Sequence, residues 1–238
     1  MIRTLWVWIF GAIATMSLSS LVVIGSLVGA PARLYTWIAR TWGRVLLWAG
    51  GVQVEVQGAE HLRTDRPQII ASNHVSWFDV FALAAKVPNK FRFVAKEELG
   101  RIPVFGRAWR TAGHISVNRR DRMQAIRALE HFGDIVRQDN STIVIFPEGT
   151  RSPNGQLLPF KKGAFMLALH THVDIVPTVV VGSRAIQKKG DWRVHSGRII
   201  LRFGEPIPTV GYDEDNRDHL IALVRSRIEH MLQTTEAP

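Results

Sequence analysis

The stretch QIIASNHVSWFD, residues 68–79, joins a short apolar strand to the start of a helix, and it carries His74 and Asp79. Five positions apart on a regular helix, these side chains would point about 140° away from each other. Ser76 followed by Asp79 three residues later matches a capping box, which predicts that the helix begins after Ser76. The pattern therefore places His74 in the strand-to-helix turn, where it can fold back toward Asp79.

A histidine and an aspartate paired in this way can act as a general base. The carboxylate would hold one imidazole nitrogen and stabilise the charged ring, while the other nitrogen takes a proton from a hydroxyl group. The same two residues are also compatible with a structural role. In that case Asp79 only caps the helix, and His74 satisfies a buried backbone group.

After Gly51, short apolar strands alternate with amphipathic helices. The predicted strands are residues 52–56, 68–72, 92–95, 114–117, 142–146, 174–181 and 197–204. The predicted helices are residues 77–86, 122–138, 163–170 and 217–232. This alternation predicts an α/β domain with a mixed, largely parallel sheet flanked by helices.

Polar residues follow the ends of several predicted strands. These residues are His74, Lys96, Arg119, Glu148 and Arg151. In α/β sheets the ligand crevice lies beyond the carboxyl ends of the strands, so a parallel core would bring these side chains to one site.

The segment IFPEGTRS, residues 145–152, ends a buried strand at that crevice. Gly149 permits close approach of the backbone to a ligand, and Arg151 can clamp a phosphate through its planar fork of donors. The alternative is an ordinary turn with a surface ion pair between Glu148 and Arg151.

The N-terminal segment from Thr4 to Ala32 contains no charged residue, and about 20 apolar residues suffice to cross a bilayer. We therefore predict a membrane segment. The alternative is a cleaved signal peptide, because Ala30-Pro31-Ala32 resembles a cleavage site, although the apolar region exceeds the usual length of about 7–15 residues.

The next segment, residues 33–50, is amphipathic at helical period. One face carries Leu34, Ile38, Trp42, Val45, Leu46 and Ala49, and the opposite face carries Arg33, Arg40 and Arg44. The pattern suits a helix at the lipid headgroups with its arginines facing phosphates, and a helix packed on its own domain is the alternative. The positions of these arginines predict that the rest of the chain lies on the cytoplasmic side of the membrane, and a re-entrant hairpin that never crosses the bilayer would give the same side. We divide the chain into an anchor, residues 1–50, and a domain, residues 51–238.

The net charge of +10 implies an anionic partner, which could be a phospholipid surface, a nucleic acid, or an acidic substrate or carrier protein. The absence of cysteine excludes disulfides, a thiol nucleophile and thiolate metal sites. The segment HTHVD, residues 170–174, has metal-like spacing, but further ligands are not apparent in the sequence, so His170 and His172 are interpreted as turn residues and no metal is predicted.

Four motifs together resemble the glycerolipid acyltransferase family, and within it the bacterial lysophosphatidate acyltransferases. They are NHVSWFD, GHISVNRR, FPEGTRS and IVPTVV, in that order, and the likeness covers residues 54–208. The resemblance implies transfer of a fatty acyl group from an acyl thioester to the free hydroxyl of 1-acylglycerol-3-phosphate, giving phosphatidic acid. It also implies acyl-CoA or an acyl carrier protein thioester as co-substrate, without a further cofactor.

The resemblance assigns His74 as the general base and Asp79 as its orienting partner. The residues that it assigns to substrate binding are Asn73, Lys96, Arg119, Glu148, Gly149, Thr150, Arg151 and Pro177. Lys96 and Arg151 correspond to phosphate ligands, with Arg119 as a supporting cation. Asn73 has a positioning role, Pro177 forms part of the acceptor wall, and the others shape the acceptor site.

Other functions are compatible with parts of the sequence. A basic, membrane-anchored binding module would explain the N-terminus and the charge, but it would not need His74 with Asp79. A nucleic-acid binder would explain the charge, but no recognised binding motif occurs, and we predict no nucleic-acid partner. Within the enzyme class, the alternative acceptor is another lysolipid, such as lyso-ornithine lipid or a lysophospholipid that is being remodelled.

Overall fold

The computed structural model of this protein describes residues 1–117 and 139–238. The described strands are β1 (Val52–Gln57), β2 (Gln68–Ser72), β3 (Phe91–Lys96), β4 (Ile115–Val117), β5 (Thr142–Ile145), β6 (Ile175–Val181) and β7 (Gly197–Phe203). The described α-helices are α1 (Ile2–Leu27), α2 (Ala32–Gly50), α3 (Trp77–Lys86), α4 (Phe105–Thr111), α5 (Gly163–Thr171), α6 (Ser183–Ile186) and α7 (Arg217–Thr234). The helix predicted at residues 122–138 lies outside the described residues.

The strands of the described residues form one seven-stranded sheet in the order β1-β7-β6-β2-β5-β3-β4. Neighbouring strands pair in parallel, except that β6 and β7 are antiparallel. The predicted fold class, a mixed and largely parallel sheet flanked by helices, is therefore confirmed. Because β2, β3 and β5 run in the same direction, the residues that follow them meet at one edge of the sheet.

Apolar side chains cover both faces of the sheet. Neighbouring residues of β2 point to opposite faces, so Ile70 packs in the cluster that contains Phe78 of α3. Ile69 and Ala71 pack in the cluster that contains Phe165 of α5. All five residues of β2 are buried, as expected for a central strand that is covered on both sides.

The predicted strands agree with the observed ones to within one residue at each end. Helix α4, by contrast, was not predicted. It has only seven residues, it has no side-chain cap, and it follows Val104, whose φ of 61° is unusual for a β-branched residue. The local sequence therefore lacks the usual signals for the start of a helix.

Helix α1 is long and apolar enough to cross a membrane, with a mean hydropathy of 2.1. One face of α1 is nevertheless buried against the rest of the protein, through Thr4, Val7, Gly11, Ser19, Val22 and Gly25. The Thr4 hydroxyl accepts a hydrogen bond from the Val194 N–H at 3.1 Å, and the Trp8 indole donates to the Trp192 carbonyl at 2.7 Å. Helix α1 thus combines a packed face with an exposed apolar face.

Helix α2 packs closely against α3. A Cβ atom at Gly43 would lie 2.7 Å from the Phe81 carbonyl oxygen, so only glycine permits this approach. Arg40 was predicted to face lipid headgroups, and this prediction is wrong. Its guanidinium donates to the Val87 carbonyl at 3.1 Å and the Asn89 carbonyl at 2.8 Å, just beyond the end of α3.

The other predictions for the N-terminal segment have mixed outcomes. Arg33 and Arg44 are exposed, as the amphipathic pattern predicts. Helix α2 ends at Gly51, which adopts a left-handed conformation with φ of 63°. The division into an anchor and a domain at this point stays a prediction, and the packing of α2 on α3 supports the alternative of a helix docked on its own domain.

Candidate active site

The turn between β2 and α3 brings His74 and Asp79 together. The distance from His74 Nδ1 to Asp79 Oδ2 is 2.8 Å. The Ser76 hydroxyl accepts a hydrogen bond from the Phe78 N–H, and the Asp79 carboxylate accepts one from the Ser76 N–H, so the predicted capping box is confirmed. Since an ionised carboxylate only accepts hydrogen bonds, Nδ1 carries the proton, and Nε2 of the neutral ring can take another.

The Asp79 carboxylate is held in one orientation. Its Oδ2 atom accepts hydrogen bonds from the Val75 N–H at 2.7 Å and the Ser76 N–H at 2.8 Å, in addition to the His74 contact. The residue is completely buried. These contacts fix the position of the imidazole before any ligand binds.

The His74 ring is also fixed from the side of β5. It stacks on Phe146, with 4.0 Å between the ring centroids and an interplanar angle of 18°. The backbone of His74 donates to Glu148 Oε1 at 2.7 Å and accepts from the Ser152 N–H at 2.7 Å. The segment after β5 therefore holds both the ring and the backbone of His74.

Glu148 is buried, with 2% of its surface exposed. Its second oxygen, Oε2, accepts a hydrogen bond from the Leu158 N–H at 2.9 Å. Burial raises the pKa of Glu148 to about 7, although its two backbone donors favour the charged form. The suggested alternative of a surface ion pair with Arg151 is wrong, because Glu148 is buried and its two oxygens bind backbone N–H groups.

Asn73 precedes His74 and is also buried. Its side-chain amide donates to the Val180 carbonyl at 3.1 Å, and its side-chain oxygen accepts from the Val180 N–H at 2.8 Å. The Asn73 side chain therefore pairs with β6 as another strand would, and it fixes the end of β2 from which His74 emerges.

A cavity of about 620 Å³ opens beside His74. Much of its lining is apolar and comes from four helices, with Val7, Gly11, Trp42, Leu46, Phe81, Phe105 and Trp109 among the contributing residues. Its polar lining includes Lys96, Gly149, Thr150, Arg151, Gln187 and Lys189. A cavity with this lining suits an amphipathic ligand that has an anionic head.

Both predicted phosphate ligands, Lys96 and Arg151, line this cavity. Arg151 is half-buried, and its guanidinium lies 4.9 Å from the centroid of the Trp77 ring. Burial lowers the pKa of Arg151, and the nearby Asp79 carboxylate partly opposes this effect. Lys96 is exposed at the end of β3. Arg119 lies outside the described residues.

The structure places the remaining predicted residues in two groups. Gly149 and Thr150 line the cavity, and Gly149 has a φ of 71° that favours glycine. Glu148 and Pro177 are not among its lining residues. Pro177 lies within β6, and its carbonyl accepts a hydrogen bond from the Gly204 N–H at 2.8 Å. Any contribution of Glu148 and Pro177 to an acceptor site would therefore be indirect.

Sequence reasoning did not identify several residues of this site, among them Trp77, Phe146 and Lys189. Lys189 lies between α6 and β7, and its ammonium donates to the Thr150 hydroxyl at 3.3 Å. Phe146 and Lys189 reach the site through contacts that no local pattern encodes. Trp77 carries a signal in the sequence, because it directly follows the predicted helix cap Ser76 and so lies close to both His74 and Asp79.

Of the two predicted turn residues, His172 lies directly after α5, whereas His170 belongs to the last turn of α5, so the prediction is wrong for His170. His172 caps this helix in a left-handed conformation with φ of 52°, and His170 Nε2 lies 3.4 Å from Glu214 Oε1. Within residues 1–117 and 139–238, no group of three or more His, Asp or Glu side chains is arranged to hold a metal ion.

Comparison with known proteins agrees with this arrangement. The model of the acyltransferase family matches residues 53–181. A 1-acyl-sn-glycerol-3-phosphate acyltransferase of Limnanthes alba is 33% identical over 82% of this chain and 69% of its own length. The alpha form of this enzyme from Bos taurus is 34% identical over 77% of this chain and 63% of its own length.

A solved structure covers the whole chain. The crystal structure of the 1-acyl-sn-glycerophosphate (LPA) acyltransferase PlsC from Thermotoga maritima matches with a TM-score of 0.82 and 26% identity, over 100% of this chain and 97% of that one. The match therefore includes the N-terminal helices as well as the sheet. The chain belongs to the acyltransferase family, together with the 1-acyl-sn-glycerol-3-phosphate acyltransferases.

Proposed function

We propose that this protein transfers a fatty acyl group from an acyl thioester to the free hydroxyl of 1-acylglycerol-3-phosphate, with His74 as the general base and Asp79 as its orienting partner. The relatives named above carry this acceptor in their names. The observation that carries the mechanism is the 2.8 Å contact between His74 Nδ1 and Asp79 Oδ2, at a cavity that Arg151 and Lys96 also line.

In this mechanism His74 Nε2 removes the proton from the acceptor hydroxyl as the hydroxyl oxygen attacks the thioester carbonyl carbon. Asp79 stabilises the imidazolium that forms. The tetrahedral intermediate then breaks its carbon–sulfur bond, and the imidazolium returns the proton to the departing sulfur. The products are the new ester, phosphatidic acid, and a free thiol, and His74 is neutral again.

The acceptor phosphate is assigned to Arg151 and Lys96. A phosphate monoester carries close to two negative charges at neutral pH, so two cations at the cavity match it. Gly149 and Thr150, which line the cavity beside Arg151, would contact the same headgroup. Arg119 remains a predicted supporting cation.

The apolar part of the cavity is assigned to an acyl chain. Side chains of α1, α2, α3 and α4 line this part, and they offer it few hydrogen-bonding groups. The acyl donor is proposed to be acyl-CoA or an acyl carrier protein thioester, since both are acidic and the protein carries a net charge of +10.

Attachment to the membrane is proposed to occur through α1 and α2, at the cytoplasmic face of a bacterial inner membrane. The face of α1 that is not packed carries exposed Leu5, Ile9, Ile13 and Ile24. Since residues of α1 also line the cavity, a lipid acceptor could enter the cavity directly from the bilayer. Retention of the full chain in membranes after carbonate washing would support insertion, and its release would support surface adsorption.

The activity is tested with purified full-length protein and a panel of lysolipid acceptors, each offered with acyl-CoA and with acyl carrier protein thioester. Lipid mass spectrometry identifies the products. We expect phosphatidic acid from 1-acylglycerol-3-phosphate to be the main product with at least one donor. A clear preference for an acceptor without a phosphate monoester, such as lyso-ornithine lipid, would overturn the proposed acceptor.

A further inference from the structure

Arg151 is held in an unusual way for a half-buried cation. Its guanidinium lies 4.9 Å from the centroid of the Trp77 ring. In the described part of the chain, its side chain makes no hydrogen bond and no ion pair. The nearby Asp79 attracts it electrostatically, but Asp79 Oδ2 is already occupied by three other donors. Within residues 1–117 and 139–238, the Trp77 ring is therefore a direct side-chain contact that holds Arg151.

Trp77 is itself fixed in space. It is the first residue of α3, directly after the Ser76 cap, and its backbone lies between Ser76 and the helix turn that contains Asp79. The capping box that orients Asp79 toward His74 therefore also fixes the backbone from which the Trp77 side chain extends. The ring lines the cavity and is 36% exposed. An aromatic ring of this size is usually more buried, so its exposed face is available for contact with Arg151.

We infer that Trp77 positions Arg151 for the acceptor phosphate and sets its distance from His74. An aromatic face attracts a guanidinium through the ring quadrupole and contacts its flat side. The N–H groups point outward in the plane of the guanidinium, so they stay available for a bidentate contact with phosphate. A carboxylate partner would hold Arg151 as firmly, but it would occupy those N–H groups and compete with the phosphate.

The inference rests on the proposed function, because it takes Arg151 to be a phosphate ligand. It adds a positioning residue that does not itself contact the phosphate. It also gives a reason for the large aromatic residue inside the His74–Asp79 segment, since one short helix start then orients both the base and the phosphate clamp. A cation–π contact of ordinary strength corresponds to about a 3- to 30-fold change in binding.

The test uses full-length protein, steady-state kinetics, and two acceptors that differ only in the phosphate, namely 1-acylglycerol-3-phosphate and 1-acylglycerol. We expect Trp77→Leu to raise the KM for the phosphate-bearing acceptor about 3- to 30-fold, with little change in kcat or in the donor KM. Trp77→Phe should retain most of the wild-type KM, because it keeps an aromatic face. If Trp77→Leu gives little soluble protein, Trp77→Met makes the same comparison.

Trp192→Leu is the matched control. Trp192 is exposed and is not among the lining residues of the cavity, and its contact with Trp8 uses its backbone carbonyl. This variant should leave the ratio of the two acceptor KM values unchanged. If Trp77→Leu impairs both acceptors equally, Trp77 supports the cavity wall or the fold, and the positioning role is overturned.

A double substitution separates this inference from the proposed function. If Trp77 acts through Arg151, Trp77→Leu should add nothing to the effect of Arg151→Ala on the acceptor KM. Additive effects would overturn the positioning role and leave the phosphate clamp intact. If Arg151→Ala alone has no phosphate-dependent effect, the clamp itself is wrong, and the inference fails with it.

Discussion

The β2–α3 turn and the helices α1 and α2 border the same cavity, but the contacts that hold them differ in how far apart in the sequence the contacting residues lie. In the turn, His74 and Asp79 are five residues apart, and the cap that joins them lies between them. In the helices, the deciding contacts join residues that are 47 positions apart, from Arg40 to Val87, and 190 positions apart, from Val194 to Thr4. A site built from neighbouring residues can be predicted from its sequence, whereas a packed face cannot.

Asp79→Ala is expected to have the largest effect of the variants that test the turn. It removes the acceptor for three donors, so the imidazole loses both its orientation and its stabilising charge. We expect kcat to fall by about 10²- to 10⁴-fold and the unfolding temperature to fall. Asp79→Asn should lose less, because its amide oxygen can still accept from the helix cap. Kinetics and thermal unfolding of the two variants, measured in parallel, check this order, and an unchanged kcat in Asp79→Ala would contradict it.

Arg151→Ala should have the next largest effect, and it should act on the acceptor. Losing one charged hydrogen bond costs about 1.5–3 kcal/mol, so the KM for 1-acylglycerol-3-phosphate should rise about 10- to 150-fold. Arg151→Lys should recover only part of this loss, because ammonium lacks the planar fork. The donor KM should change less. Equal losses on acceptors with and without phosphate would mean that Arg151 supports the fold or the donor instead.

Gly43→Val tests the packing of α2 against α3, which depends on residues far apart in the sequence. The added Cβ atom would lie 2.7 Å from the Phe81 carbonyl oxygen, so α2 must move away from α3. We expect a loss of unfolding free energy on the order of 1–3 kcal/mol, as for other overpacked sites. Arg44→Val introduces the same β-branched residue at an exposed position of α2, so it serves as a comparison. Wild-type stability of Gly43→Val in detergent would show that α2 is not tightly docked on α3.

Glu148 lies after β5 and accepts a hydrogen bond from the His74 N–H, so it connects this segment to the β2–α3 turn. Its contribution to the stability of the protein depends on pH. Its pKa is raised to about 7 in the folded protein from an ordinary value of 4.5. Between these pH values the folded state therefore binds more protons at Glu148 than the unfolded state does. Stability from this group is therefore fully present below about pH 4.5 and is lost as the pH rises through 7.

Glu148→Gln stays neutral and should remove this decline, which is on the order of 1–3 kcal/mol. The measurement is denaturant unfolding of both proteins from pH 4.5 to 8. Both proteins share all other ionisable groups, so the difference between their unfolding free energies at each pH reports the contribution of Glu148. A pH-independent difference would contradict the raised pKa.

The sequence predicted the parts of the site that depend on local order. The capping box, the ends of β2, β3 and β5, and the direction of His74 follow from periodicity, from Ser76 and from the parallel sheet. The burial of Glu148 and the contact of Arg151 with Trp77 did not follow, because they depend on how the segment after β5 folds over α3. Helix α4 was missed because its start lacks the usual local signals, and the binding of Arg40 beyond the end of α3 was missed because it joins residues 47 positions apart.

The central claim is that His74 is the general base, and His74→Ala tests it most directly. The measurement is acyl transfer to 1-acylglycerol-3-phosphate by purified full-length protein, with His230→Ala as the matched control, since His230 is exposed on α7 and is not among the lining residues of the cavity. We expect His74→Ala to lose at least about 10²- to 10⁴-fold in kcat while keeping its fold and membrane attachment, and we expect His230→Ala to keep wild-type turnover. Near-normal turnover by a folded His74→Ala protein would contradict the mechanism.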